Sequence, residues 1–88
     1  MTSQLRRASV SITSNIAEGF SRNSYKDKLH FYCVAQGSNT ELQDQITIAL
    51  DVGYLTEEEY NIVEAKSTNV HKIISGLIRS TKSVIRNS

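Results

Sequence analysis

Eighty-eight residues with 39% hydrophobic content, 22% charged content and a net charge of +1 describe one globular domain, residues 1–88, neither disordered nor strongly polyionic. A chain of this size buries only about 60–65% of the surface its unfolded form exposes, so oligomerisation is a common aid to its stability. With no ~20-residue apolar run to span a bilayer, no signal-peptide core and one cysteine, Cys33, the expected location is the reducing cytoplasm.

The absence of proline leaves long stretches free to be helical. A first helix is expected over about residues 3–17, with Leu5, Ala8, Ile12 and Ile16 at the three-and-four spacing of one helix face. Gly19 is expected to end it, and residues 20–23 to turn the chain. A second helix is expected over about 25–52, capped by Ser24 and closed by Gly53. Its core stripe is Phe31, Ala35, Ser38, Leu42, Ile46 and Ala49, with Leu29, Tyr32, Val34, Ile48 and Leu50 on the flanks. Gly37 costs this helix ~1 kcal/mol relative to alanine, which suggests close approach by another helix near Ala35 and Ser38.

The short connection over residues 53–56 forces an antiparallel hairpin. The third helix, about 57–85, carries the cleanest pattern: Tyr60, Val63, Ser67, Val70, Ile74, Leu77, Thr81 and Val84 form a seam, widened by Ile73, Ile78 and Ile85. Thr56 with Glu59 makes a capping box, and Leu55 with Tyr60 a hydrophobic staple. The fold expected is all-α, an antiparallel up-down helical bundle of one short and two long helices.

Charge is unevenly placed. Residues 1–30 hold five cations and two acids, residues 31–64 seven acids and no Lys or Arg, and residues 65–88 five cations and no acid. Antiparallel packing of the long helices then gathers Asp44, Asp51, Glu57, Glu58, Glu59 and Glu64 near one end, and Arg22, Lys26, Lys28, Arg79, Lys82 and Arg86 near the other. Acids at the start and bases at the end of the third helix complement its dipole, but that leaves Lys26 and Lys28 unexplained. Solubility with dipole compensation and an anion-binding pole both remain open. Lys72, Arg79 and Arg86 stand a heptad apart on one stripe, with no aromatic residue interleaved for base stacking.

No catalytic constellation is visible, so an enzyme is not expected. His30 and Cys33 offer two metal ligands at i, i+3 spacing, too few for a site; no metal or cofactor is expected. His71 falls on a flank. The serines lack an adjacent base with its own orienting acid, and Gly19, Gly37, Gly53 and Gly76 are isolated, so no phosphate loop is present. More informative is Asn15-Ile-Ala-Glu-Gly-Phe20, followed by Arg22. Asn15 falls at a core-type position, and a buried amide needs partners; Glu18, Arg22, Ser38, Asn39 and Glu41 are the candidates. Such a polar network fixes helix register or takes a ligand directly.

The segments Gln4-Leu-Arg-Arg-Ala8, Asn15-Ile-Ala-Glu-Gly-Phe20, Arg22, Phe31, Ala35-Gln-Gly-Ser38, Glu41-Leu42 and Gly53-Tyr-Leu-Thr-Glu-Glu58 resemble, in order, the four-helix-bundle family encoded by intervening sequences of bacterial 23S ribosomal RNA genes. That family includes the accessory variability proteins of diversity-generating retroelements. Residues 59–88 are similar only in being an amphipathic helix. The resemblance implies a subunit that assembles into a pentameric ring. It also implies, from the retroelement relatives, contact with nucleic acid and a reverse transcriptase through basic surfaces. It further implies a long helix before Gln4 that this chain lacks, through truncation or as a naturally short variant. A neighbouring chain is then expected to fill the groove left open, and the oligomer to depart from the ring.

The function expected is a non-enzymatic oligomeric scaffold or adaptor contacting RNA, DNA or a ribonucleoprotein. Arg6, Arg7, Arg22, Lys26, Lys28, Lys72, Arg79, Lys82 and Arg86 are the candidate phosphate contacts. The alternative is a protein–protein assembly module without nucleic acid, in which the charged ends only orient neighbours.

Overall fold

A computed structural model describes residues 3–88, so of the expected domain residues 1 and 2 lie outside the described residues. Three helices follow in order: α1 (Ser3–Ser21), α2 (Tyr25–Asp51) and α3 (Glu57–Asn87). No strand occurs among the described residues. α1 and α3 each run antiparallel along α2 and pack on it rather than on each other, giving an elongated body of 49 × 20 × 14 Å. One core cluster joins all three helices through Leu5, Ala8 and Ile12 of α1, Ala35, Leu42 and Ile46 of α2, and Ile74 of α3.

The hairpin between α2 and α3 is fixed by local chemistry at both of its ends. Gly53 adopts the left-handed conformation at φ +82°, which lets the chain turn without a Cβ penalty. Its N–H donates to the Leu50 carbonyl at 3.1 Å, and the Tyr54 N–H donates to Ala49 at 2.8 Å. These are the two bonds of a Schellman motif, satisfying carbonyls that the helix end would leave open. On the far side, Thr56 caps α3. Its hydroxyl accepts from the Glu59 N–H, and its own N–H donates to the Glu59 carboxylate. The bonds from Thr56 hold the Glu59 carboxyl below its ordinary range. At the other end of α2, Ser24 accepts from the Asp27 N–H.

Five details differ from the sequence expectation. α1 does not stop at Ala17, because Gly19 is used for close packing rather than for a turn. Gly19 is buried inside the helix, and a Cβ there would overlap the ring of Tyr32, lying 2.8 Å from Cδ1. Tyr32, expected on a flank, is therefore 3% exposed, and burial pushes its phenol above the ordinary range. Phe31, expected in the core stripe, is only half-buried. Gly37 has nothing within 4 Å of its Cβ direction, so no helix of the chain uses it for close approach. Finally, Ile73 and Val84 are exposed rather than part of the packed seam.

The two glycines should respond oppositely to alanine. Gly19→Ala should destabilise the fold, since overpacking costs about 1–3 kcal/mol against a helix-propensity gain of ~1 kcal/mol. Gly37→Ala has only the gain and should raise the melting temperature; circular-dichroism melts of the two variants read both signs.

Candidate nucleic-acid interface

The end of the molecule where α2 begins and α3 finishes is assembled by polar contacts in the middle of the helices. Asn39, 1% exposed, donates through Nδ2 to the Ser67 carbonyl at 3.0 Å and accepts from the Ser67 hydroxyl at 2.8 Å. One turn away, Gln36 Nε2 donates to the His71 carbonyl and to Ser75 Oγ. With the register set there, Ser24, Tyr25 and Lys26 come to line one pocket with Val84, Ile85 and Ser88.

Six cations stand at this end, as expected, but their roles divide. Lys28 donates from Nζ to the carbonyls of Gly19 and Phe20, both at 3.1 Å. It thus serves as a C-terminal cap on α1, where a cation also complements the dipole. That explains a lysine which looked misplaced at the start of α2. Arg22 pairs with Glu18 at 3.1 Å and lies 4.8 Å from the centre of the Phe31 ring. Lys26, Arg79, Lys82 and Arg86 are exposed and make no ion pair or hydrogen bond among the described residues. Lys72 is exposed further along α3. Arg6 and Arg7 belong to the opposite end. Gln4 and Leu5 line a pocket with Ala49, Val52 and Tyr54 at the end of α2, and Arg7 lines a groove of about 330 Å³ with Glu41 and Gln45. The nine basic residues do not form one surface.

The polar residues grouped around Asn15 also separate. Asn15 Nδ2 donates to the Ser11 carbonyl at 2.7 Å and to Ser11 Oγ at 3.3 Å, and Ser11 Oγ shares a 2.8 Å bond with Ser38 Oγ. This short chain ties α1 to α2. Glu18 with Arg22 is a second group, and Asn39, turned the other way onto α3, is a third. Glu41 lines the α1–α2 groove. Ser67, the partner of Asn39, was expected only as a seam position of α3; its polar role was missed because the seam pattern records spacing, not hydrogen bonding.

Among the described residues no three His, Cys, Asp or Glu side chains come together. Cys33 is exposed, and the His30 ring packs edge-on against Phe31 at 5.2 Å. No helix is long and apolar enough to cross a membrane.

The geometry thus presents three packed helices with four exposed cations, Lys26, Arg79, Lys82 and Arg86, where α2 begins and α3 finishes. Over residues 1–76 the sequence matches the family model described as 23S rRNA-intervening sequence protein. The chain belongs to that family. The match reaches well into α3, past residue 58 where the residue-by-residue resemblance ended. No curated protein and no solved structure gives a significant match.

Within this family member the Asn39–Ser67 pair should behave as a unit. Asn39→Ala and Ser67→Ala should each cost about 1–3 kcal/mol, because each strands a buried polar partner. The double variant should lose clearly less than the sum, as read from urea unfolding; additive losses would show that the two side chains do not act together.

Proposed function

We propose that this chain is a non-enzymatic scaffold or adaptor subunit that contacts RNA, alone or in a ribonucleoprotein, through the end carrying Lys26, Arg79, Lys82 and Arg86. The observation that carries this reading is the openness of those four side chains, in contrast to Arg22 and Lys28, whose charges are used within the fold. Four unpaired cations at one end of a chain of net charge +1 form a local potential that attracts phosphate. With no aromatic platform among them, the contact is to backbone phosphates, through which duplex RNA is bound largely by shape. A soluble, cytoplasmic setting belongs to the same proposal.

The alternative is assembly with proteins alone, favoured by Arg22 and Lys28 having internal partners. Fluorescence anisotropy of a labelled ribosomal RNA stem-loop separates the two. Phosphate contact predicts affinity falling with salt at a log–log slope of about −3 to −4 for four contacts. Replacing Arg79, Lys82 and Arg86 with Gln should flatten that slope by about one for each contact removed, whereas Arg6→Gln with Arg7→Gln should leave it unchanged. A flat titration at low salt would overturn the RNA reading in favour of protein-only assembly.

A further inference from the structure

The seam between α1 and α2 is built in layers. Antiparallel packing sets Ser11 beside Ser38, where the two hydroxyls bond at 2.8 Å. The same pairing sets Ala8 opposite Glu41 and Gln4 opposite Gln45 in the next two turns. Alanine is too small to fill its layer, and the result is a groove of about 330 Å³ lined by these residues and Arg7. Small-molecule sites begin at about 300 Å³.

Three features of its walls lack the partners that the fold supplies elsewhere. The Ser11–Ser38 bond uses one hydroxyl proton of the pair; the other has no acceptor among the described residues, although Ser38 is only 9% exposed. Oε1 of Gln45 is shut off from solvent and has no hydrogen-bond partner. Arg7 on α1 and Glu41 on α2 both line the groove, yet they make no ion pair with each other; among the described residues only Arg22 and Glu18 pair. Buried polar groups are nearly always satisfied within a fold. Unpaired donors and acceptors that converge on one cavity therefore mark a place where a ligand completes the bonding.

We infer that this groove binds a small zwitterion, with a carboxylate and an ammonium on one short skeleton, the chemistry of a free amino acid. Arg7 and the spare serine proton take the carboxylate through charge-assisted bonds. Glu41 takes the ammonium, and rotation of the Gln45 side chain into the groove brings its oxygen to the same group. Selection needs both charges. A simple anion gains Arg7 but is repelled by Glu41, and a simple cation meets the reverse. Lys26, Arg79, Lys82 and Arg86 take no part, so the groove is independent of the RNA contact proposed above.

The test is a series of ¹H–¹⁵N spectra of the full chain, titrated in turn with each amino acid of neutral side chain. Acetate and methylamine serve as controls that carry one charge each. At least one amino acid is expected to shift amides in residues 4–11 and 38–45 saturably, while neither control does so at the same concentration. Arg7→Gln and Glu41→Gln should each weaken that binding about tenfold or more with the helical spectrum unchanged, and Arg6→Gln should leave it as it is. Gln45→Leu reads the site independently: it removes the unpaired oxygen, so it should raise the melting temperature of the free chain while weakening binding. Acetate binding as tightly as any amino acid, with Glu41→Gln strengthening both, would overturn the zwitterion in favour of an anion. No saturable shift from any amino acid would overturn the site itself.

Discussion

A carboxamide left at 1% exposure between two helices has to find both a donor and an acceptor in its immediate surroundings, and for Asn39 both come from Ser67. Sliding α3 by one residue would carry the Ser67 hydroxyl and carbonyl out of reach and strand polar groups in the core, a cost of about 1–3 kcal/mol for each group. Apolar packing alone is more tolerant, because Ile74 and Ile46 can meet neighbours of similar size at several offsets. The pair therefore selects one register from several that the hydrophobic seam would accept, much as a buried Asn does in a coiled coil.

From that register the electrostatics follow. The chain is nearly neutral, yet the antiparallel hairpin brings the beginning of α2 against the end of α3 and leaves the acid-rich middle of the sequence at the other extreme of a 49 Å axis. The basic end is then pared down by the needs of the fold. Lys28 closes the end of α1, and Arg22 is held by Glu18 and Phe31, which leaves four cations facing solvent. α1 depends on α2 in a different manner, through the bare surface of Gly19 under Tyr32 and the Ser11–Ser38 bond. Neither of these contacts bears on the register of α3, so the stability of α1 and the alignment of the hairpin are separable properties.

The helices were legible in the sequence wherever local chemistry and periodicity agreed. The Thr56–Glu59 capping box and the Gly53 turn mark the hairpin almost to the residue, and the Leu5, Ala8, Ile12 spacing marks the packed face of α1. Glycine was where the reading failed, because a helical glycine has one appearance in sequence and several uses. Gly19 looked like a terminator and is a packing surface, while Gly37 looked like a packing surface and is open. Tyr32 and Phe31 exchanged places for the same reason, since the notch that receives Tyr32 lies on another helix. The candidate site was half legible. Charge order along the chain grouped the cations at the start of α2 and the end of α3, but Arg6 and Arg7 were counted with them although the expected up-down packing already carries the start of α1 to the far end. The internal use of Lys28 required knowing where α1 stops.

The account turns on the open cations at the meeting of α2 and α3 being the surface that touches phosphate. The most direct test is a ¹H–¹⁵N correlation spectrum of the labelled chain, recorded while a ribosomal RNA stem-loop is added at low salt. The account predicts that the shifted amides cluster in residues 24–28 and 79–88, with those around Arg6 and Arg7 unmoved. Shifts centred on residues 4–11, or a spectrum that RNA leaves unchanged, would contradict it.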